Sequence, residues 1–344
     1  MSKRKAMKRL NHYRACLVLL ASMGVSVGQV TEAARAASLS AQSADLKASS
    51  ERKAVSPAVP PAIQQNHKQN RKQDNPPAET SEPAADAIEE GINFILQNNV
   101  AAAIESFQRA VDIDPGSAAA QYNLGLALRQ DNQMQAAATA FWQATQADPA
   151  LTLAYVNLGA ALLEGDNLDQ AETYLARAIE LEPELGLAHY NFGLLQRRRG
   201  NQAAAFSAFS EAIAHSPSAP ESHYHIGLIY QEQGEYAQAQ RAFENAIDID
   251  YDYPEAHYNL GVSFIRQNSP ETAIIAFTRA SDLKPTFGHA HYARGLALAE
   301  LTRYEEAKEQ LQTASNIYIA QGQSRWANIA QQQIALIENI QSAQ

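Results

Sequence analysis

Cysteine is nearly absent from this sequence, since only Cys16 occurs among its 344 residues. It lies in an N-terminal segment with the features of a removable signal, so the rest of the chain has no disulfide, thiol nucleophile or thiolate metal ligand.

Positive charge is also scarce after residue 83. Residues 84–344 hold 14 Lys and Arg against 31 Asp and Glu, whereas residues 1–83 hold 13 against 6. An acidic surface disfavours nucleic acid as a partner.

No long hydrophobic run marks a membrane-spanning helix. The apolar run at residues 15–28 has 14 residues, which is too short to span a bilayer comfortably. A cationic start with Lys3, Arg4 and Lys5 precedes it, and the cleavage pattern Ala34-Arg35-Ala36 follows it. Residues 1–36 are therefore predicted to be a signal peptide for export to the periplasm or the secreted space. The alternative is an uncleaved N-terminal anchor, and only then is a membrane contact expected.

Residues 37–83 have few aromatic or branched apolar side chains. Ser, Ala, Gln, Lys and Pro dominate, and the prolines are Pro57, Pro60, Pro61, Pro76, Pro77 and Pro83. Such a segment cannot bury enough apolar surface to offset its ordering entropy. It is predicted to be a disordered linker.

From residue 84 onward the sequence repeats with a period of 34 residues. A glycine recurs at this spacing: Gly91, Gly125, Gly159, Gly193, Gly227, Gly261 and Gly295. A large apolar residue follows each glycine by 16 positions: Phe107, Phe141, Leu175, Phe209, Phe243, Phe277 and Leu311. Seven units in register predict a repeat architecture.

Each unit contains two runs with helical apolar periodicity, separated by a turn such as Gly165-Asp166-Asn167. Prolines such as Pro149 and Pro183 close the second run, because proline stops a helix. The small residues are expected to let the helices of a pair approach closely, and the Phe or Leu to fill the gap between one pair and the next. Stacked pairs then share one continuous core.

These glycine, alanine, phenylalanine and proline positions resemble the tetratricopeptide repeat, for example over Glu221–Gly261, and the resemblance covers residues 84–321. It implies an all-α, right-handed superhelical solenoid of helix-turn-helix repeats whose first helices line the concave face. The unit departs from the family where His189, His223, His257 and His291 stand at a common Trp position. Core packing or hydrogen bonding within a helix pair is the expected role of these histidines.

Residues 322–344 carry one apolar stripe at helical spacing: Trp326, Ile329, Ala330, Ile334, Ile337 and Ile340. This stripe predicts a C-terminal capping helix that closes the last repeat. A docking helix for a partner is the alternative.

Two rows of polar and aromatic residues mark the expected binding groove. Two positions before the repeat glycine stand Asn123, Asn157, Asn191, His225 and Asn259, and three before it stand Tyr122, Tyr190, Tyr224, Tyr258 and Tyr292. Amides can pair with an extended peptide backbone, and the resemblance implies this use. We expect these amides to be exposed along the groove. The alternative is that both rows only reflect the repeat consensus.

Arginines near the ends of the first helices are candidate contacts for an acidic side chain of the partner. They are Arg129, Arg197 and Arg198. Solvated helix ends are the alternative interpretation. The lysine clamp that some family members use for a C-terminal carboxylate is missing, because Ile88, Tyr122 and Val156 stand at its place.

Catalytic and metal patterns fail on their context. Gly24–Gly28 spells a nucleophile elbow but lies within the apolar signal. Asp248, Asp250 and Asp252 begin like a calcium loop, yet Tyr253 stands where glycine is needed. The sequence therefore predicts a non-catalytic scaffold without a cofactor or metal, binding a protein or peptide in the cell envelope or the secreted space. The alternative is a regulatory or recruiting subunit of an enzyme complex, for example in polysaccharide or envelope assembly.

Overall fold

The computed structural model describes residues 82–342, and these residues form fifteen α-helices. The predicted signal peptide at 1–36 and nearly all of the predicted linker at 37–83 lie outside them. The first helices of the seven repeats are α1 (Glu82–Leu96), α3 (Ala118–Gln130), α5 (Thr152–Glu164), α7 (Gly186–Arg198), α9 (Pro220–Glu232), α11 (Pro254–Arg266) and α13 (Gly288–Glu300). The second helices are α2 (Val100–Ile113), α4 (Met134–Ala147), α6 (Leu168–Leu181), α8 (Gln202–His215), α10 (Tyr236–Ile249), α12 (Pro270–Leu283) and α14 (Tyr304–Ala320). Helix α15 (Ser324–Ser342) follows the last repeat.

Each turn between the two helices of a repeat contains one residue with positive φ. These residues recur every 34 positions: Asn98, Asn132, Asp166, Gly200, Gly234, Asn268 and Thr302. Glycine, asparagine and aspartate tolerate this left-handed conformation best, because they have no side chain or a short one that bonds locally. The turn chemistry of the sequence therefore fixes where one helix ends and the next begins.

The repeat glycine lies against the large apolar residue of the second helix in its own repeat. A Cβ atom placed on Gly193 would stand 2.7 Å from the ring of Phe209, and the other six repeats show the same close approach. The expectation that Phe or Leu fills the gap between pairs therefore needs correction. The side chain lies between the two helices of its own repeat, because only glycine leaves room for it where these helices approach most closely.

The histidines of the first helices hold the connection that precedes them. The Nε2 atoms of His189, His257 and His291 lie 2.7, 2.9 and 3.2 Å from the backbone carbonyl oxygen six positions earlier. Each ring nitrogen donates to a carbonyl oxygen of the connection between two repeats, that of Pro183, Tyr251 or Pro285. These bonds differ from the expected hydrogen bonding within a helix pair. A contact of the expected kind occurs at His291, whose Nδ1 atom lies 3.0 Å from Oε1 of Gln310 on α14.

The repeats form two compact units, residues 82–216 and residues 217–342. The core of the first contains Phe107, Phe141 and Leu175, and that of the second contains Phe243 and Phe277. In the second unit α15 buries Ala327, Ala330, Ile337 and Ile340 in a cluster with Leu311 and Tyr318 of α14. The predictions of an all-α tandem-repeat fold and of a capping helix are confirmed.

Candidate binding surface of the first helices

Successive first helices of the unit 82–216 are linked through Asn157 of α5. Its Nδ2 atom donates to the Tyr122 hydroxyl of α3 over 3.2 Å and to the Leu153 carbonyl of its own helix over 2.9 Å. Its Oδ1 atom accepts from Nη1 of Arg129 over 2.7 Å. Both amide protons of Asn157 are therefore used within the protein, and the bonds fix the position of α5 against α3.

The unit 217–342 repeats this arrangement at Asn259 of α11. Nδ2 of Asn259 donates to the Tyr224 hydroxyl over 3.2 Å and to the Glu255 carbonyl over 2.9 Å. Nε2 of Gln231 donates to the Asn259 carbonyl and to the Ser263 hydroxyl, over 2.8 and 2.9 Å. The Asn–Tyr bond is thus an internal element of both units.

The remaining asparagines of the row are bonded differently. Nδ2 of Asn123 donates to the Ala119 carbonyl and Nδ2 of Asn191 to the Leu187 carbonyl, each over 2.9 Å within its own helix. Oδ1 of Asn123 is buried without a hydrogen-bond partner. Asn157 and Asn191 are each only 8% exposed, so the expectation of exposed amides is wrong. The row therefore combines bridging amides with amides that keep hydrogen-bonding capacity.

The tyrosine row packs mainly into the core. The rings of Tyr122, Tyr190, Tyr224 and Tyr258 lie 5.7–5.9 Å from the phenylalanine of the same repeat. Tyr122, Tyr224 and Tyr292 are buried, whereas Tyr190 and Tyr258 are half-buried. Burial raises the pKa of Tyr122 and of Tyr258 to about 12. These hydroxyls stay protonated at neutral pH.

The three candidate arginines have different surroundings. Arg129 is half-buried, and among residues 82–342 its only hydrogen bond is to the neutral amide of Asn157. Nη2 of Arg198 lies 3.4 Å from Oδ1 of Asp166, while Arg197 is half-buried on α7. Arg129 therefore carries a partly desolvated charge with no carboxylate beside it, which favours binding of an anionic group.

His225 stands in the asparagine row of the unit 217–342, where its ring contacts Tyr224 edge-on at 5.4 Å.

A larger group of rings lies further along this unit. Phe287 stands 5.1 Å from Tyr258 and 6.5 Å from His289, and the His289 ring stands 4.9 Å from Trp326. These four half-buried side chains, Tyr258, Phe287, His289 and Trp326, are called the aromatic platform below.

Two buried rings support the aromatic platform from beneath. Tyr318 lies 5.9 Å from Trp326, and its hydroxyl is 2.8 Å from Nδ1 of His289. The ring of Tyr292 lies 6.2 Å from Trp326. Burial lowers the pKa of His289 to about 4, so the imidazole is neutral at physiological pH.

Sequence reasoning missed the aromatic platform because its members come from three helices and a loop and follow no single periodicity. One signal was available. His289 lies at the second position of its repeat, where the two preceding repeats have Glu221 and Glu255. Replacement of a carboxylate by a ring, next to Phe287, indicates a change of surface chemistry at this end of the repeats.

Residues 82–342 contain no candidate metal site and no membrane-spanning helix. No three His, Cys, Asp or Glu side chains lie close enough to hold a metal ion in this part of the chain. None of its helices is long and apolar enough to cross a membrane.

The family models for the tetratricopeptide repeat match residues 88–151, 156–220, 224–286 and 288–323. The chain is a tetratricopeptide-repeat protein. Its repeats begin and end where the 34-residue period and the helix pairs place them. No curated protein matches it in sequence.

Solved structures share the fold of this tetratricopeptide-repeat protein. A chain of the APC/C hetero-tetramer Cut9–Hcn1 matches with a TM-score of 0.58 at 18% identity, over 64% of this chain and 44% of that one. A tetratricopeptide repeat protein from Parabacteroides merdae gives 0.57 at 16% identity, over 73% and 100%. Pseudomonas aeruginosa pilF gives 0.55 at 19%, over 61% and 96%. The chain thus spans less than half of the Cut9–Hcn1 chain, and these identities indicate the fold alone.

Proposed function

We propose that this protein is an exported, non-catalytic scaffold that binds an extended segment of a partner protein across the first helices of residues 82–216. Tetratricopeptide repeats are protein-interaction scaffolds, and the family supports this coarser role. The finer role rests on the side chains of α3, α5 and α7. Neither nucleic acid nor a cofactor is part of the proposal, and a membrane contact belongs to it only if residues 1–36 stay attached.

Arg129 is the observation that carries the proposal. Its guanidinium is oriented by Oδ1 of Asn157 and has no carboxylate partner within residues 82–342. An acidic side chain of the partner would supply the missing charge and form a charge-assisted hydrogen bond.

Asn191 and Leu187 extend the proposed surface along α7. Asn191 is 8% exposed and donates one amide proton to the Leu187 carbonyl, so a peptide main chain that pairs with its other proton and Oδ1 would have to lie directly against α7. The Leu187 side chain is 45% exposed and offers apolar contact beside that amide. Of the asparagine row in residues 82–216, Asn191 is therefore the residue we assign to the ligand, and Asn157 is assigned to the linkage between repeats.

The test is a parallel pull-down from the exported fraction with the wild-type chain, Arg129→Gln and Arg241→Gln, followed by peptide mapping of what co-purifies. Glutamine at position 129 keeps a hydrogen-bond donor but carries no charge. A partner that contacts Arg129 should bind the first variant at least tenfold more weakly, about 1.4 kcal/mol, and Arg241→Gln normally. Arg241 is exposed on α10, a second helix, and serves as the matched control. Equal recovery by all three would overturn this site.

The same experiment decides the alternative role as a regulatory or recruiting subunit of an enzyme complex. A partner with its own catalytic domain, recovered at constant stoichiometry, would favour that role. A partner recovered through a short unstructured segment would favour the adaptor.

A further inference from the structure

The chain places one of its own lysines between a carboxylate and an aromatic ring in the unit 217–342. Nζ of Lys284 is 3.1 Å from Oε1 of Glu255 and 5.5 Å from the centre of the Phe287 ring. The Phe287 ring in turn lies 5.1 Å from the Tyr258 ring. An ammonium group is attracted both by a carboxylate and by the face of an aromatic ring, so these four residues hold a bound cation and are called the lysine site below.

The preceding repeat contains a counterpart of the lysine site without the lysine. Its residues stand 34 positions earlier in the chain, and they are Glu221, Tyr224, Asp250 and Tyr253. The rings of Tyr224 and Tyr253 lie 5.0 Å apart at 37°, close to the 5.1 Å and 48° of the ring pair in the lysine site. The counterpart site therefore keeps the carboxylate and the two rings, but it has a second acid, Asp250, where the lysine site has its ammonium.

Both acids of the counterpart site are open to an external cation. Glu221 and Asp250 are exposed, and neither forms an ion pair within residues 82–342. Oδ1 of Asp250 accepts a hydrogen bond from the backbone N–H of Asp252 over 3.0 Å, which leaves its charge uncompensated. The Tyr253 ring is half-buried. We propose that Glu221, Asp250 and the Tyr253 ring bind a lysine side chain of a partner segment.

The surrounding charges favour a cationic partner. Residues 217–344 hold 8 Lys and Arg against 15 Asp and Glu. Arg279 of α12 is already bound elsewhere, because its Nη2 atom lies 2.9 Å from Oδ1 of Asp252 and its guanidinium carbon 4.4 Å from the centre of the Tyr251 ring. Lysine is the residue we assign to the partner, because an ammonium occupies the equivalent place in the next repeat. This inference is independent of the function proposed above, since that site lies in the other unit and attracts an acidic group.

Fluorine NMR of the full chain labelled with fluorotyrosine tests this proposal, because Tyr253 is a ring of the counterpart site. A Tyr253→Phe variant assigns its resonance. The probe is the pentapeptide acetyl-Ser-Gly-Lys-Gly-Ser-amide, which should shift the Tyr253 resonance saturably. The same peptide with ε-acetyl-lysine is similar in shape but carries no charge, so it should cause no shift.

Two substitutions should remove the binding of this probe. Glu221→Gln removes a carboxylate and should weaken binding at least fivefold, about 1 kcal/mol. Asp250→Lys gives the counterpart site a lysine of its own, as in the lysine site, and should abolish the saturable shift. The matched control is Glu271→Gln, which removes an exposed carboxylate of the same unit on α12 and should leave the affinity unchanged.

The absence of a saturable shift with the lysine peptide, or equal shifts with its acetylated form, would overturn the proposal. So would equal weakening by Glu221→Gln and Glu271→Gln, or an undiminished shift in Asp250→Lys. A shift of the Tyr253 resonance that appears without peptide as the protein concentration rises would assign the site to a second copy of this chain and overturn the assignment to a partner.

Discussion

At the scale of single residues, Asn157 is a connection between repeats. Its replacement by alanine removes the bonds to Tyr122 and Arg129 and leaves both groups partly buried without that partner. We expect Asn157→Ala to lower the free energy of unfolding by about 1–3 kcal/mol, because an orphaned buried donor costs more than a hydrogen bond contributes. Urea unfolding followed by far-UV circular dichroism measures this loss.

Asn191→Ala is the matched control, because that amide bonds only to its own helix. It should lower the free energy of unfolding by only about 0.5–1 kcal/mol, because it removes one hydrogen bond within its own helix and orphans no side chain of another helix. Equal losses from the two variants would mean that the bond to Tyr122 contributes nothing to stability. Replacing Tyr122 by Phe in both backgrounds completes a double-mutant cycle for that bond.

We expect His289 to make the stability of residues 217–342 depend on pH. Its pKa falls from about 6.5 in an unfolded chain to about 4 in the fold, where it contacts the Tyr318 hydroxyl, Phe287 and Trp326. Below pH 6.5 the unfolded chain binds this proton more readily, so stability is complete above that pH and decreases towards pH 4. The loss should be on the order of 3 kcal/mol at most.

The measurement is urea unfolding between pH 7.5 and pH 4 in the wild type and in His289→Phe. The phenylalanine variant lacks this titration and should show a flatter profile over that interval. An identical profile would show that other groups cause the dependence. A His223→Phe variant shows how much a second, half-buried histidine contributes, because partial burial also lowers the pKa of His223.

At the scale of the helical elements, the turns set the pairing, and one of them is strained. Thr302 has φ of 62°, although β-branched residues rarely adopt the left-handed region, and its side chain is exposed. We expect Thr302→Asn to raise the free energy of unfolding by about 1 kcal/mol, because asparagine tolerates this conformation. The reciprocal change at the equivalent exposed turn residue, Asn132→Thr, should lower it by a similar amount. Shifts of the same sign in both variants would contradict this account.

The helices were predictable from the sequence because their causes are local and repeat every 34 residues. The glycine at each helix crossing, the turn residues and the closing prolines all act within one unit. Which asparagines bond to a neighbouring first helix was less evident from the sequence, because this depends on the residue 35 positions earlier. Asn157 follows Tyr122 and becomes a bridge, whereas Asn123 follows Ile88 and Asn191 follows Val156, which offer no hydroxyl. The aromatic platform depends on contacts among helices of different repeats, which no local pattern encodes.

At the scale of the whole molecule, the chain divides its charge between two parts. The basic residues 1–83 precede acidic repeats, so the change of charge coincides with the boundary between the predicted export and linker segments and the repeat fold.

Export is the last prediction and concerns the whole chain. Deleting residues 2–36 should leave the protein in the producing cell with an unchanged helical far-UV spectrum, because the repeats begin far beyond the deletion. The exported wild-type chain should begin at Ala37 on N-terminal sequencing. Ala34→Leu/Ala36→Leu is the control, since bulky residues block cleavage but leave the targeting segment intact, and it should yield a longer, membrane-bound form. If the wild type itself is membrane-bound and retains Met1, residues 1–36 act as an anchor, and soluble full-length protein inside the cell would contradict both roles.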